Sequence, residues 1–212
     1  MAKLKSSLPN MLLSLTLIAL VAAGLLAVVY SVTKDPIDKA KAEKQAAAKI
    51  AVLPAMEGIT IGEEAEEVDG MAIYKAYVND ELIGAAVEAQ EIGFGGVFKM
   101  MVGFDKEGTI TGYQVLEHQE TPGLGAKMDE WFRMDKNRQN VLGLNPGKCN
   151  LTVSKDGGDV DAITAATISS RAFLLAITKA YNAYLSDKLE ATSGATVMVE
   201  EEIIENNEMK EE

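Results

Sequence analysis

Between Asp161 and Arg171 the chain reads Asp-Ala-Ile-Thr-Ala-Ala-Thr-Ile-Ser-Ser-Arg, a turn of small and hydroxyl residues running straight into an apolar, helix-forming stretch. Such a junction can hold an anion, because the first amides of a helix lack intrahelical acceptors and carry partial positive charge. Small residues at Ala165 and Ala166, beside Thr164, let a bulky group approach the backbone and the Thr167 hydroxyl. The same letters also suit an ordinary N-cap, in which Ser, Thr or Asp opens a helix. A second stretch, His118-Gln119-Glu120-Thr121-Pro122-Gly123-Leu124-Gly125, mixes polar groups with glycines. Pro122 pushes Thr121 towards an extended backbone, while Gly123 and Gly125 permit close approach to a flat ligand. Leu124 offers one apolar contact, Glu120 can hydrogen-bond within the loop, and His118 can brace its entrance or serve structure alone. Gly93-Phe94-Gly95-Gly96 is a third glycine-rich stretch, which by itself marks a turn.

Composition removes several kinds of chemistry. A net charge of -12 over 212 residues argues against nucleic acid, whose binding draws on Lys and Arg at phosphates. Cys149 is the only cysteine and His118 the only histidine, so an internal disulfide, a Cys-rich metal site and a Cys-His dyad have no basis.

The elements that must position these stretches follow from periodicity. Strand-like runs from Met71 to Val78 and Leu82 to Gln90 flank Asn79-Asp80-Glu81, and Val97 to Phe104 and Thr109 to Glu117 flank Asp105-Lys106-Glu107-Gly108. Two hairpins in succession predict an antiparallel, four-stranded meander, with Met100 and Met101 in the core or on a sheet face. A helix is expected over Lys127 to Arg133, a turn at Asn145-Pro146-Gly147 and a short strand around Leu151 to Ser154. Phe173, Ala176, Ile177, Ala180 and Tyr184 recur at helical spacing, so the segment to about Leu185 should pack an apolar stripe on the sheet.

Ahead of this domain, Ser6 to Thr33 contains no charged residue and Met11 to Val32 is almost wholly apolar, long enough to span a bilayer as one helix. A cleaved signal peptide would have a shorter apolar region, so a retained anchor is expected. Lys3 and Lys5 precede the span and five lysines follow it soon after, which leaves its orientation open. Asp35-Pro36 is expected to open a membrane-proximal helix ending near Pro54. The expected layout is an N-terminal segment 1–10, a transmembrane helix 11–32, a linker helix 33–56, a folded domain 57–188 entered through an acidic loop, and a mobile acidic tail 189–212.

Taken together, G-F-G-G at 93–96, H-Q-E-T-P-G-L-G at 118–125 and D-A-I-T-A-A-T-I-S-S at 161–170 resemble the FMN-binding domain of respiratory ion pumps. With the N-terminal anchor, the resemblance is strongest to G subunits of Rnf electron-transport complexes, and the C subunit of the sodium-translocating NADH:quinone reductase is a similar relative. It implies an α+β fold: one transmembrane helix, then an antiparallel-sheet FMN-binding domain with packed helices. It further implies FMN attached through its phosphate to a threonine hydroxyl by a separate flavin transferase. By position that threonine is Thr167, with Asp161, Thr164 and Ala166 in the supporting turn and Glu120, Thr121, Leu124 and Gly125 bordering the flavin. The implied role is electron carriage between reduced ferredoxin and NAD coupled to Na+ or H+ movement, beside other membrane subunits, with the domain on the extracytoplasmic side of the cytoplasmic membrane and no catalysis of its own.

One departure stands out. The family usually has glycine where this chain has Ala165, and alanine disfavours positive φ, so either the turn does not need it or transferase recognition is impaired. Ser193-Gly194-Ala195-Thr196 carries a fuller version of the string and makes Thr196 a rival attachment site. Thr167 is preferred, because Asp161 precedes it at the family spacing and a helix start follows it. Two other readings remain open at this point: a flavinylated extracytoplasmic carrier for a different reductase, and a non-redox membrane-tethered assembly module.

Overall fold

The structure, a computed structural model, describes residues 7–62 and 65–208, with side chains described as far as 188. Lys3, Lys5, Glu63, Glu64 and the side chains of the expected tail, Thr196 among them, lie outside the described residues. The chain divides into two units, Met1–Lys44 and Gln45–Glu212.

Helix α1 (Leu8–Ala51) makes up the described part of the first unit and reaches into the second. It is long and apolar enough to cross a membrane, with a mean hydropathy of 2.7 over its most apolar 18 residues. Its serine and threonine hydroxyls do not interrupt it: Ser14, Thr16, Ser31 and Thr33 donate to the carbonyls of Met11, Leu12, Ala27 and Val29. A polar side chain that returns its proton to its own helix leaves no donor facing lipid. Pro36 lies inside this helix and does not open a new one. The missing proline amide costs one hydrogen bond, and the helix-favouring Lys, Ala and Glu residues that follow carry the backbone onward.

In the second unit the core of the fold is an antiparallel sheet of β3 (Met71–Val78), β4 (Glu81–Ile92), β5 (Val97–Asp105) and β6 (Ile110–Glu117) in sequential order. The expected meander is present. Two short strands, β1 (Thr60–Ile61) and β2 (Glu66–Val68), pair with the outer edge of β3 where only an acidic loop was expected. Strands of two and three residues are too short to show a period, but they cover an otherwise open edge.

Period-two alternation sends neighbouring residues into two separate cores. Ile73, Val87, Met100 and Val102 face one layer, and Tyr74, Ala86 and Met101 face the other. The second layer is closed by the last turn of α1 and the two residues after it, where Ala48, Val52 and Leu53 are buried. There Thr111 Oγ1 donates to the Val52 carbonyl at 2.6 Å, and Gly103 and Gly112 let that backbone lie directly on the sheet.

The first layer is closed by α3 (Thr167–Glu208), whose Phe173, Ala176, Ile177, Ala180 and Tyr184 form the expected buried stripe. Phe173 stacks on Phe132 at 4.3 Å and meets the Tyr113 ring edge-on at 5.0 Å. The expected helix near Lys127 is a 3₁₀ turn, Gly125–Lys127, followed by the single turn α2 (Met128–Trp131). In place of a strand at Leu151 to Ser154 there is one bridge, Val153 to Val160, and a 3₁₀ turn at Ser154–Asp156. Gly157 takes φ +85° just after it and turns the chain away before a ladder can grow.

Where α3 leaves the sheet, Asp187 is buried beside Lys75, 3.2 Å away, and Lys75 also holds Glu66 at 2.7 Å. Burial pushes the Asp187 carboxyl up to about 6, while hydrogen bonds from Asp187 and Lys75 hold Glu66 below its usual range. A carboxyl raised in the folded state takes up its proton on folding, so its contribution improves as pH falls through about 6. Glu66 works in the opposite sense at lower pH, losing its contribution as it protonates. Asp187→Asn should therefore flatten the rise in melting temperature between about pH 7 and 5, measured by thermal scans across that range.

Candidate functional site

Three loops separated widely in sequence close over the N-terminus of α3. The β4–β5 connection (93–96), the loop after β6 and the 163–169 turn line a cavity of about 370 Å³. Its walls are Phe94, Glu120, Thr121, Leu124, Gly125, Ala165, Ala166, Thr167, Ile168 and Ser169. Six of the eight residues singled out in the sequence are therefore brought together: Glu120, Thr121, Leu124, Gly125, Ala166 and Thr167. Asp161 and Thr164 do not reach the lining.

Glu120 is the hub of the site. It is 5% exposed, with Oε1 accepting the Gly95 amide at 3.1 Å and Oε2 accepting the Ser169 hydroxyl at 2.7 Å. One carboxylate thus joins all three loops, and the glycines make room for it. A β-carbon at Gly93 would stand 2.1 Å from Oε1, and one at Gly125 would stand 2.2 Å from Oε2. His118 lies behind the loop, where its Nδ1 accepts the Glu120 amide at 3.3 Å and its Nε2 lies 3.9 Å from Asp129. It does not line the cavity.

The turn before α3 is built by Ser170, which accepts the Ile163 amide at 2.9 Å and donates to the Ala166 carbonyl at 2.9 Å. The Ala166 amide closes the turn onto the Ile163 carbonyl at 3.0 Å, leaving Thr164 and Ala165 at its exposed corner. Ala165 takes φ +62°. The turn keeps the left-handed conformation with alanine in place of glycine. Alanine there costs roughly 1 kcal/mol relative to a residue without a β-carbon. Ala165→Gly should raise stability by up to about that amount, less the extra chain entropy of glycine, in a urea melt.

Asp161 acts from behind the turn. Its carboxylate accepts the Ser154 hydroxyl at 2.8 Å and lies 3.6 Å from Arg138, and its carbonyl accepts the Trp131 indole N–H at 2.9 Å. The Ser154 hydrogen bond, with Arg138 beside it, holds the carboxyl below its usual range. Two residues beyond Ser154, Asp156 receives both Arg171 Nε and a second guanidinium nitrogen at 2.7 Å. The 3₁₀ turn at Ser154–Asp156 is thus pinned at both ends, and Lys155 between them sends Nζ to within 3.4 Å of Thr167 Oγ1.

Thr167 is half-buried, sits in the first turn of α3 and faces both the cavity and an ammonium. The chemistry on offer is recognition of an anionic group by helix amides and Lys155, beside an apolar slot formed by Phe94, Leu124 and Ile168. A flat aromatic ring system carrying a phosphate fits that division. Phe94, Ser169, Ile168 and Lys155 were not singled out in the sequence; Phe94 had only its place in G-F-G-G, and Lys155 sat in a turn with no separate signal. Among the described residues no group of three or more acidic, His or Cys side chains is placed to hold a metal ion.

Two family profiles match the chain. An FMN-binding domain profile matches residues 93–182, and an RnfG N-terminal region profile matches residues 13–49. The chain is 34% identical to the G subunit of the ion-translocating oxidoreductase complex of Aliivibrio fischeri, across 79% of this chain and 86% of that protein. It is 33% identical to the G subunit of the same complex of Methanosarcina acetivorans, across 79% and 89%. A crystal structure of the C subunit of Na(+)-translocating NADH-quinone reductase from Parabacteroides distasonis overlaps 54% of this chain and 61% of that one, with 22% identity and a TM-score of 0.38.

Proposed function

The chain belongs to the family of G subunits of ion-translocating oxidoreductase complexes, and from that premise we propose that its FMN is esterified through the phosphate to Thr167 Oγ1. It is a membrane-anchored flavoprotein subunit that carries electrons in such a complex. FMN supplies the redox chemistry, taking up and releasing electrons one or two at a time. The protein's own part is to hold and orient it.

The observation that carries the reading is the position of Thr167. Its hydroxyl lies at the start of α3, in the cavity wall and 3.4 Å from Lys155 Nζ, where a phosphodiester would meet positive charge from both sides. Phe94, Leu124 and Ile168 give the ring apolar surface. Glu120 and Ser169 fix the three loops against one another, so the cavity keeps its shape as the charge of its occupant changes. A separate flavin transferase would make the bond. The family role implies electron flow between reduced ferredoxin and NAD with Na+ or H+ movement, alongside other membrane subunits. The folded unit would then lie on the extracytoplasmic side of the cytoplasmic membrane.

Intact-protein mass with and without co-expressed flavin transferase tests this directly. An added flavin phosphate that maps to the peptide holding residue 167 is expected; unmodified Thr167 in protein from a working complex would refute it.

A further inference from the structure

We propose that Glu120, beyond joining the loops, holds the reduction potential of the bound flavin low by fixing a buried negative charge in the cavity wall; this rests on the FMN reading above. The carboxylate is in its acceptor form at both oxygens, with the Gly95 amide on one and the Ser169 hydroxyl on the other. None of the described ion pairs includes it. Its charge is therefore met by two neutral donors and by no ion-pair partner among the described residues. A burial of this kind costs free energy, and tying the loops together does not require it. A glutamine could bridge the same positions, its oxygen accepting from Gly95 and its amide donating to a Ser169 hydroxyl turned round.

What a glutamine would lack is the field. Two-electron reduction of the flavin, with electrons supplied by dithionite and a proton by solvent, adds negative charge to the ring system. A fixed carboxylate in the cavity wall opposes that addition. The two hydrogen bonds draw part of the charge away from the cavity, so their strength sets how much of it the flavin meets.

Dye-equilibrated dithionite titration of the full-length, flavin-loaded protein in detergent reads this directly. Glu120→Gln is expected to move the midpoint to a more positive potential. Ser169→Ala leaves the charge and removes one donor, and should move it to a more negative one. Opposite shifts cannot come from a latch that merely loosens, since both variants would then admit water and move the same way. An unchanged or more negative midpoint in Glu120→Gln overturns the proposal. Should that variant fail to load flavin, Ser169→Ala decides alone, a more negative midpoint supporting the proposal and an unchanged or more positive one overturning it. Loss of flavin fluorescence from the wild-type band on a denaturing gel would instead strike at the FMN reading.

Discussion

Thr167→Val is expected to yield a folded, membrane-inserted protein from which covalent flavin is absent. Valine keeps the β-branched shape at a half-buried position and exchanges the hydroxyl for a methyl group, and the described hydrogen bond lost is the 3.4 Å one from Lys155. A surface change that breaks so little should move stability by no more than about 0.5 kcal/mol. Attachment should fall to background all the same, because the ester has no oxygen to form on. In-gel flavin fluorescence after co-expression with a flavin transferase measures one effect, and a thermal scan measures the other. The neighbouring hydroxyls do not offer a substitute within the same stretch. Ser169 and Ser170 are buried and committed to Glu120, Ile163 and Ala166, and Thr164 is exposed outside the cavity. Thr196→Val should retain full fluorescence; the reverse pattern would place the attachment on the tail.

What the sequence made legible was whatever repeats locally. The four long strands announce themselves as apolar or alternating runs between turn residues, as in Val97 to Phe104 ahead of Asp105-Lys106-Glu107-Gly108, and the α3 stripe by the spacing of Phe173, Ile177, Ala180 and Tyr184. Positions whose meaning depends on distant chain were readable only in part. Glu120 showed up as a polar residue in a glycine loop, but its bond to Ser169 spans 49 positions and leaves no local trace. Lys155 sits in a turn like any other, and reaches Thr167 because Asp156 and Ser154 are pinned by residues well beyond it. Pro36 carries a signal for a helix start that the surrounding helix formers override. Ala165 is the converse case: the missing glycine was visible in the sequence, and only the backbone could say that the left-handed turn persists without it.

Gly95→Ala should damage the site more than any other single methyl added to its loops. The new β-carbon would lie 2.1 Å from the Gln119 carbonyl oxygen and 2.6 Å from the carbonyl carbon, so backbone meets backbone and no side chain can swing aside. Either the 93–96 loop lifts away or the loop after β6 moves. In both cases the Gly95 amide leaves Glu120, and Phe94 leaves the cavity wall. Overpacking of this kind costs about 1 to 3 kcal/mol, and covalent flavin should fall several-fold, because the transferase would meet a deformed cradle. Gly123→Ala is the informative contrast. Gly123 has φ +77° with no atom within 4 Å of an added β-carbon, so alanine there strains only its own backbone, at about 1 kcal/mol. It should lower the urea midpoint slightly and keep full flavin loading. If Gly95→Ala matched Gly123→Ala in both stability and loading, the three loops would not be clamped through Glu120.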